Sequence, residues 1–158
     1  MTARFQSLLD TPIGTVRILG GDDAITHIDF IDTDEASAQP DNALTRLARQ
    51  QLSDYFAGQR RTFDLPLAAA GTDFQRACWQ ALLTIPYGET RSYAEQAELI
   101  QRLKAVRAVG AANSANPIAI VVPCHRVIGK DGKLTGYAGG VERKAWLLAL
   151  ERRGAAAL

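Results

Sequence analysis

Hydrophobic and polar positions alternate through the first thirty residues and then change period. Residues 3–9 and 13–20, separated by Asp10-Thr11-Pro12, predict two strands of a hairpin, and residues 25–31 alternate as a third strand. An acidic loop follows. Across residues 41–56 the apolar positions Leu44, Leu47, Ala48, Leu52, Tyr55 and Phe56 fit a helical stripe, which Gly58 stops. Residues 62–67 are expected to return as a last strand before the linker Ala68-Ala69-Ala70-Gly71. Nothing in this first part marks a chemical site.

After Gly71 the helical period dominates. Thr72-Asp73-Phe74-Gln75 reads as a capping box, in which a threonine hydroxyl and a glutamine side chain satisfy backbone N–H groups at a helix start. The helix it opens is expected to bury Phe74, Ala77, Cys78, Ala81 and Leu82, and Pro86-Tyr87-Gly88 ends the segment in a turn. Ser92-Tyr93-Ala94-Glu95 is a second box, opening a short helix to about Ile100, and a further helix is predicted over residues 103–112. Two short helices with a tight joint have the outline of a helix-turn-helix. Arg102, Lys104 and Arg107 supply cations there, beside the small residues Ala108, Gly110, Ala111 and Ala112. On these residues alone, a helix entering a nucleic-acid groove and a helix packed tightly on another are equally good readings.

The apolar run Ile118-Ala119-Ile120-Val121-Val122 predicts a buried strand leading into Pro123-Cys124-His125-Arg126. Asp131-Gly132 then predicts a hairpin turn, and Gly136, Gly139 and Gly140 bracket Tyr137-Ala138, where the backbone can approach a flat ligand. A last helix is predicted over residues 141–153, with Ala145, Leu148 and Ala149 on one buried face and Trp146, Leu147 and Leu150 widening it.

The 158 residues are 47% hydrophobic, enough for one sizeable core or a core with a satellite domain, and the linker divides them at residues 1–71 and 72–158. No apolar stretch approaches the roughly 20 residues of a membrane helix, and the start lacks the pattern of a secretory signal. A cytoplasmic chain with no membrane partner is therefore expected. Two cysteines without CxxC or Cys/His spacing predict neither a disulfide framework nor a metal site, and no cofactor is expected. The net charge of +1 hides an asymmetry: residues 1–71 carry 6 Lys+Arg against 10 Asp+Glu, and residues 72–158 carry 12 against 7. The second part suits a polyanionic partner without identifying one.

The chemistry centres on Cys124. A thiol attacks only as its thiolate, and an adjacent base such as His125 is the usual means of obtaining that form near neutral pH. Cys78 lies on an apolar helical stripe and belongs to the core, where burial raises a thiol's pKa. Glu151 falls in the last turn of the final helix, where a carboxylate opposes the helix dipole, so a specific cationic or imidazole partner is expected for it.

Arg107-Ala108-Val109-Gly110, Asn116-Pro117, Pro123-Cys124-His125-Arg126-Val127-Ile128, Gly136-Tyr137-Ala138-Gly139-Gly140 and Lys144-Ala145-Trp146-Leu147-Leu148 together resemble the O6-alkylguanine-DNA alkyltransferases, the suicide DNA-repair methyltransferases. The resemblance covers about residues 72–151. It implies an α+β fold with an N-terminal ribonuclease-H-like α+β domain and a C-terminal winged helix-turn-helix domain. It also implies a monomer acting on double-stranded DNA that contains O6-alkylguanine. By similarity Cys124 is the alkyl acceptor, His125 its base acting through a water, Glu151 the group that orients His125, and Asn116 a hydrogen-bonding residue of the active-site turn. Arg107 resembles the arginine that fills the space of the extruded base, and Lys104 a phosphate contact. Tyr93 resembles the residue that assists the leaving guanine. Tyr137 and the Ala138 N–H would contact the flipped base, and the Cys124 and Val127 carbonyls would accept from its exocyclic amine. The joint Gln101-Arg102-Leu103-Lys104 replaces a family segment that carries a proline, which leaves the start of the second helix undefined.

Two related readings fit less well. A DNA-binding alkyltransferase-like sensor lacks the cysteine, and a thiol hydrolase needs an oxyanion site that no motif marks. A plain helix-turn-helix regulator leaves residues 123–128 unexplained.

Overall fold

The alternation of the first thirty residues is realised as an antiparallel meander. In the computed structural model, which describes residues 3–32 and 38–156, β1 (Phe5–Thr11), β2 (Gly14–Gly20) and β3 (Ile25–Ile31) pair in that order. The acidic loop expected after Ile31 falls largely on residues 33–37, outside the described residues. α1 (Ala43–Phe56) starts on Asn42, whose side chain accepts from the Thr45 N–H while the Thr45 side chain accepts from the Asn42 N–H. Ala48, Leu52 and Tyr55 of α1 are fully buried, as are Val16, Ile18 and Ile25 of the sheet. Each large apolar side chain so buried contributes about 1.5–3 kcal/mol.

Residues 62–67 do not form the expected strand. Ile25 instead makes one parallel bridge with Leu67, donating to the Pro66 carbonyl and accepting from the Ala68 N–H. Proline supplies no N–H to extend such a ladder.

The chain forms two compact units, residues 1–70 with 117–119 and residues 71–116 with 120–158. In the second unit both capping boxes form, Thr72 with Gln75 opening α2 (Asp73–Leu82) and Ser92 with Glu95 opening α3 (Tyr93–Leu99). α4 spans Val106–Ser114, three residues later than predicted at its start, and no side chain caps it. Leu103, Lys104 and Ala105 belong to the joint, as expected of a helix start without a proline or a capping side chain. The Trp79 indole N–H donates to the Ala112 carbonyl at 2.8 Å, and Gln96 and Asn113 exchange amide hydrogen bonds of 2.9 and 2.7 Å. Both amides are buried, so α2, α3 and α4 are tied by bonds that would be costly to leave unmade.

The run before Cys124 is not a strand. Ile118 forms a single bridge to Ile28, Ile120 turns through a positive φ of 72°, and a 3-10 turn spans Cys124–Arg126. Pro117 and Pro123 bracket the segment, and a short buried apolar run has the same composition whether extended or coiled. β5 (Val127–Ile128) pairs in parallel with β4 (Arg91–Ser92), which fixes the turn beside the start of α3. The Gly129–Lys133 turn closes through a 2.8 Å bond, yet residues 134–140 form no returning strand.

α5 (Val141–Ala156) buries a face different from the predicted one. Lys144, Leu147, Leu148, Leu150 and Glu151 are inside, whereas Ala145 is exposed. Two ionisable residues sit on its buried stripe. No helix among the described residues is long and apolar enough to cross a membrane.

Candidate active site

The thiol of Cys124 lies at the head of the 3-10 turn and is 8% exposed. The Asn116 side-chain amide reaches it, donating to Sγ at 3.3 Å and to the Val122 carbonyl at 2.8 Å, so one amide group holds both the thiol and the backbone that precedes it. Burial pushes the thiol up from its ordinary pKa, opposed by the Asn116 hydrogen bond and by the Lys144 charge. Cys124 therefore rests as a thiol.

His125, the next residue, is fully buried. Its Nε2 lies 2.6 Å from Glu151 Oε2 on α5. Burial lowers the imidazole's pKa, against the Glu151 hydrogen bond and charge, while Arg126 and Lys144 act with burial. Burial pushes the Glu151 carboxyl up, but the His125 and Arg126 hydrogen bonds and charges outweigh it and hold the carboxyl far below the usual range. The pair is a neutral imidazole facing a carboxylate. An ionised carboxylate only accepts, so Nε2 carries the proton and Nδ1 presents a lone pair. Nδ1 is buried with no hydrogen-bond partner among the described residues.

Two further residues, to which sequence reasoning assigned no role, complete this arrangement. Arg126 donates from Nε to Glu151 Oε1 at 2.8 Å, from Nη2 to Oε2 at 3.1 Å and from Nη1 to the Ile85 carbonyl at 2.7 Å. The Gly88 N–H also donates to Glu151 Oε1, at 3.2 Å. Gly88 has φ +82°, and a Cβ there would stand 2.7 Å from the Ala155 Cβ, so only glycine lets this turn lie so close to α5. Lys144, fully buried, donates from Nζ to the Thr135 carbonyl at 2.7 Å and lies 5.7 Å from the Tyr93 ring centroid. The spacing of Lys144, Leu147, Leu148 and Glu151 on one helical face is the signal that would have found Lys144, because two charged residues share an apolar stripe.

Tyr93 donates its hydroxyl to the same Thr135 carbonyl at 3.0 Å. Gly136, at φ +59°, gives that hydroxyl its room, since a Cβ there would be 3.3 Å away. Tyr137 is buried, its hydroxyl without a partner among the described residues, and burial followed by the Cys124 charge pushes its pKa well up. Val127 is buried, while Ala138 is exposed in the glycine-bracketed loop. Lys104 and Arg107 are exposed, at the joint and in the first turn of α4, and Ala108 and Ala111 are exposed with them; Ala112 is buried. A cavity of about 590 Å³ at this joint is lined by Glu98, Gln101, Arg102, Leu103, Lys104 and Ala105.

Residues 73–153 match the 6-O-methylguanine DNA methyltransferase DNA binding domain, and residues 5–69 match the ribonuclease-like domain of the same proteins. The chain belongs to the 6-O-methylguanine DNA methyltransferase family. A methylated-DNA–protein-cysteine methyltransferase of Mycolicibacterium paratuberculosis is 54% identical over 149 residues, covering 92% of this chain and 90% of that protein. One from Methanosarcina barkeri is 47% identical over 152 residues, covering 93% and 96%. The crystal structure of Mycobacterium tuberculosis OGT in complex with DNA has a TM-score of 0.88 and 50% identity, covering 95% of this chain and 94% of that one. In this 6-O-methylguanine DNA methyltransferase the thiol, its amide and the imidazole–carboxylate pair all lie within the unit that matches the DNA binding domain.

Proposed function

We propose that the protein reverses alkylation of guanine O6 in double-stranded DNA by taking the alkyl group onto Cys124, once per chain. The observation that carries this reading is the buried Cys124 thiol, held by Asn116 beside an imidazole whose bare Nδ1 is available as an acceptor. The sulfur–carbon bond forms as the bond from carbon to guanine O6 breaks. The thiol proton passes to His125 Nδ1 through a water, and the Nε2–H···Glu151 bond stabilises the resulting imidazolium. The leaving guanine takes up a proton, and the Tyr93 hydroxyl, turning from Thr135, would assist its departure. A thioether has no hydrolytic route back to the thiol, so the chain is spent.

The target atom lies inside a base stack, so the nucleotide must be extruded before sulfur can reach it. Arg107, exposed on α4, would occupy the vacated space, and Lys104 would neutralise phosphate. Tyr137 and the Ala138 N–H would contact the extruded base, with the Cys124 and Val127 carbonyls accepting from its exocyclic amine. Every group so used comes from one chain, which suits a monomer, and a free thiol nucleophile suits the reducing cytoplasm.

Incubation with excess duplex containing O6-methylguanine should transfer one methyl group per chain and then stop, whereas sustained transfer beyond one equivalent would refute the suicide reaction. Arg107→Ala should react poorly with that duplex yet nearly normally with free O6-benzylguanine, and equal losses on both would make Arg107 structural. Lys104→Ala should weaken duplex binding and lower its salt slope by about one.

A further inference from the structure

Glu151 is the carboxylate that faces His125, and Arg126 is bound to that same carboxylate on both oxygens. We infer that Arg126 is a positioning residue: by pairing the Glu151 charge in a two-point grip, it keeps His125 a neutral proton acceptor instead of a resident imidazolium. The inference rests on the proposed alkyl transfer for its consequence but not for its test.

The reasoning is one of charge balance in a site without water access. His125 is 0% exposed, and the side chains of Arg126 and Glu151 are 8% and 1% exposed. Carboxylate and guanidinium sum to zero, so a proton on His125 would add an unpaired buried charge. Without the guanidinium, the same proton would complete a neutral pair with Glu151, and His125 would hold it before any thiol could supply one. A base that is already protonated cannot accept. The grip is well built for this purpose. Arg126 adjoins His125 in the same 3-10 turn, its third contact fixes the guanidinium to the Ile85 carbonyl, and the Tyr87 ring lies 5.9 Å away. Arginine's planar fork matches a carboxylate in a way that a lysine ammonium does not.

The other ionisable groups around His125 act in known directions. Lys144 on α5 opposes a proton on His125, as Arg126 does. Cys124 and Tyr137 rest neutral because burial raises both. On α2, also packed against the turn, Cys78 is a buried thiol likewise raised, and Asp73 and Arg76 are exposed and paired with each other. Glu151 is the anion that faces the imidazole, and Arg126 is its bidentate partner.

The test is a nuclear magnetic resonance titration of the His125 ring in the intact protein, with His27→Gln used to assign its signals, alongside the pH profile of alkyl transfer to Cys124. Arg126→Met should raise the His125 titration by at least about one pH unit and carry the acid limb of the rate upward with it. Since one unit is a tenfold change in protonation ratio, transfer at pH 6 should fall about tenfold or more while transfer at pH 8.5 is much less affected. Arg126→Lys keeps the charge but loses one of the two contacts, and should move the titration in the same direction by less. If Arg126→Met does not fold, Arg126→Lys decides. An unchanged His125 titration in a folded variant, or a rate loss equal at all pH values, would overturn the inference. Failure of the wild type to alkylate Cys124 at any pH would instead defeat the proposed function and leave the titration result standing.

Discussion

Cys78 and Cys124 are both buried free thiols, and burial pushes both up from their ordinary pKa. What separates them is the polar company at the sulfur. Cys78 sits on the apolar stripe of α2, and burial alone accounts for its shift. Cys124 has the Asn116 amide on its sulfur, the Lys144 charge nearby and a neutral imidazole as its chain neighbour. Burial thus stores a thiol unreacted in both places, and only the second site supplies a donor for the thiolate and an acceptor for its proton. Reactivity in this protein belongs to those partners.

Breaking the acceptor should erase the contrast most completely. Glu151→Gln and His125→Ala should each slow alkyl transfer by roughly 10²–10⁴-fold, the scale of a lost general base, with little change in DNA affinity. The double variant should lose little more than either single one, because groups acting as a unit share one effect. Multiplying losses in single-turnover kinetics would separate the two residues.

Removing the donor is the next largest change. Asn116→Leu takes the amide from the sulfur and makes Cys124 resemble Cys78 in its surroundings. A hydrogen bond to a charged group contributes about 1.5–3 kcal/mol, so the rate should fall by roughly 10- to 100-fold. The apparent pKa of Cys124, read from its alkylation by iodoacetamide against pH, should rise. An unchanged thiol pKa would assign Asn116 to the backbone turn alone.

The smallest effect is on stability against pH, where the two thiols act alike. His125 has a lowered pKa in the folded chain, so its contribution is full above the unfolded value near about 6.5 and is lost as pH falls below it. Glu151, also lowered, adds a loss beginning below about 4.3. Both thiols are raised, so their contributions are full below about 8.5 and are lost as pH rises. Urea midpoints should be flattest between those limits. Cys78→Ala and Cys124→Ala should each soften the alkaline limb, and a limb that only one of them softened would break the equivalence drawn from burial.

Much of this was legible in the sequence where a local signal decides the structure. Thr72 with Gln75 and Ser92 with Glu95 mark helix starts because a cap needs only residues three apart. The three alternating strands of the first unit form over nearly the predicted residues. Periodicity misled at the run before Cys124, which is buried as expected but coiled, since an apolar run between two prolines carries no period to read. It misled again on α5, where Ala145 was placed inside and Lys144 lies there instead, because a buried lysine is visible only through its partner, the Thr135 carbonyl. Arg126 was in plain view beside Cys124 and His125, but its role depends on Glu151, 25 residues further along the chain. Pairings at that distance are set by tertiary packing.

The most direct test compares the two cysteines in one experiment. The protein is incubated with a duplex carrying a single O6-methylguanine, digested, and the peptides containing Cys78 and Cys124 are weighed by mass spectrometry, with Cys124→Ala treated in parallel. One methyl group on the Cys124 peptide, an unmodified Cys78 peptide, and an unrepaired duplex with Cys124→Ala are the expected results. Methyl on Cys78, or repair of the duplex by Cys124→Ala, would contradict the account.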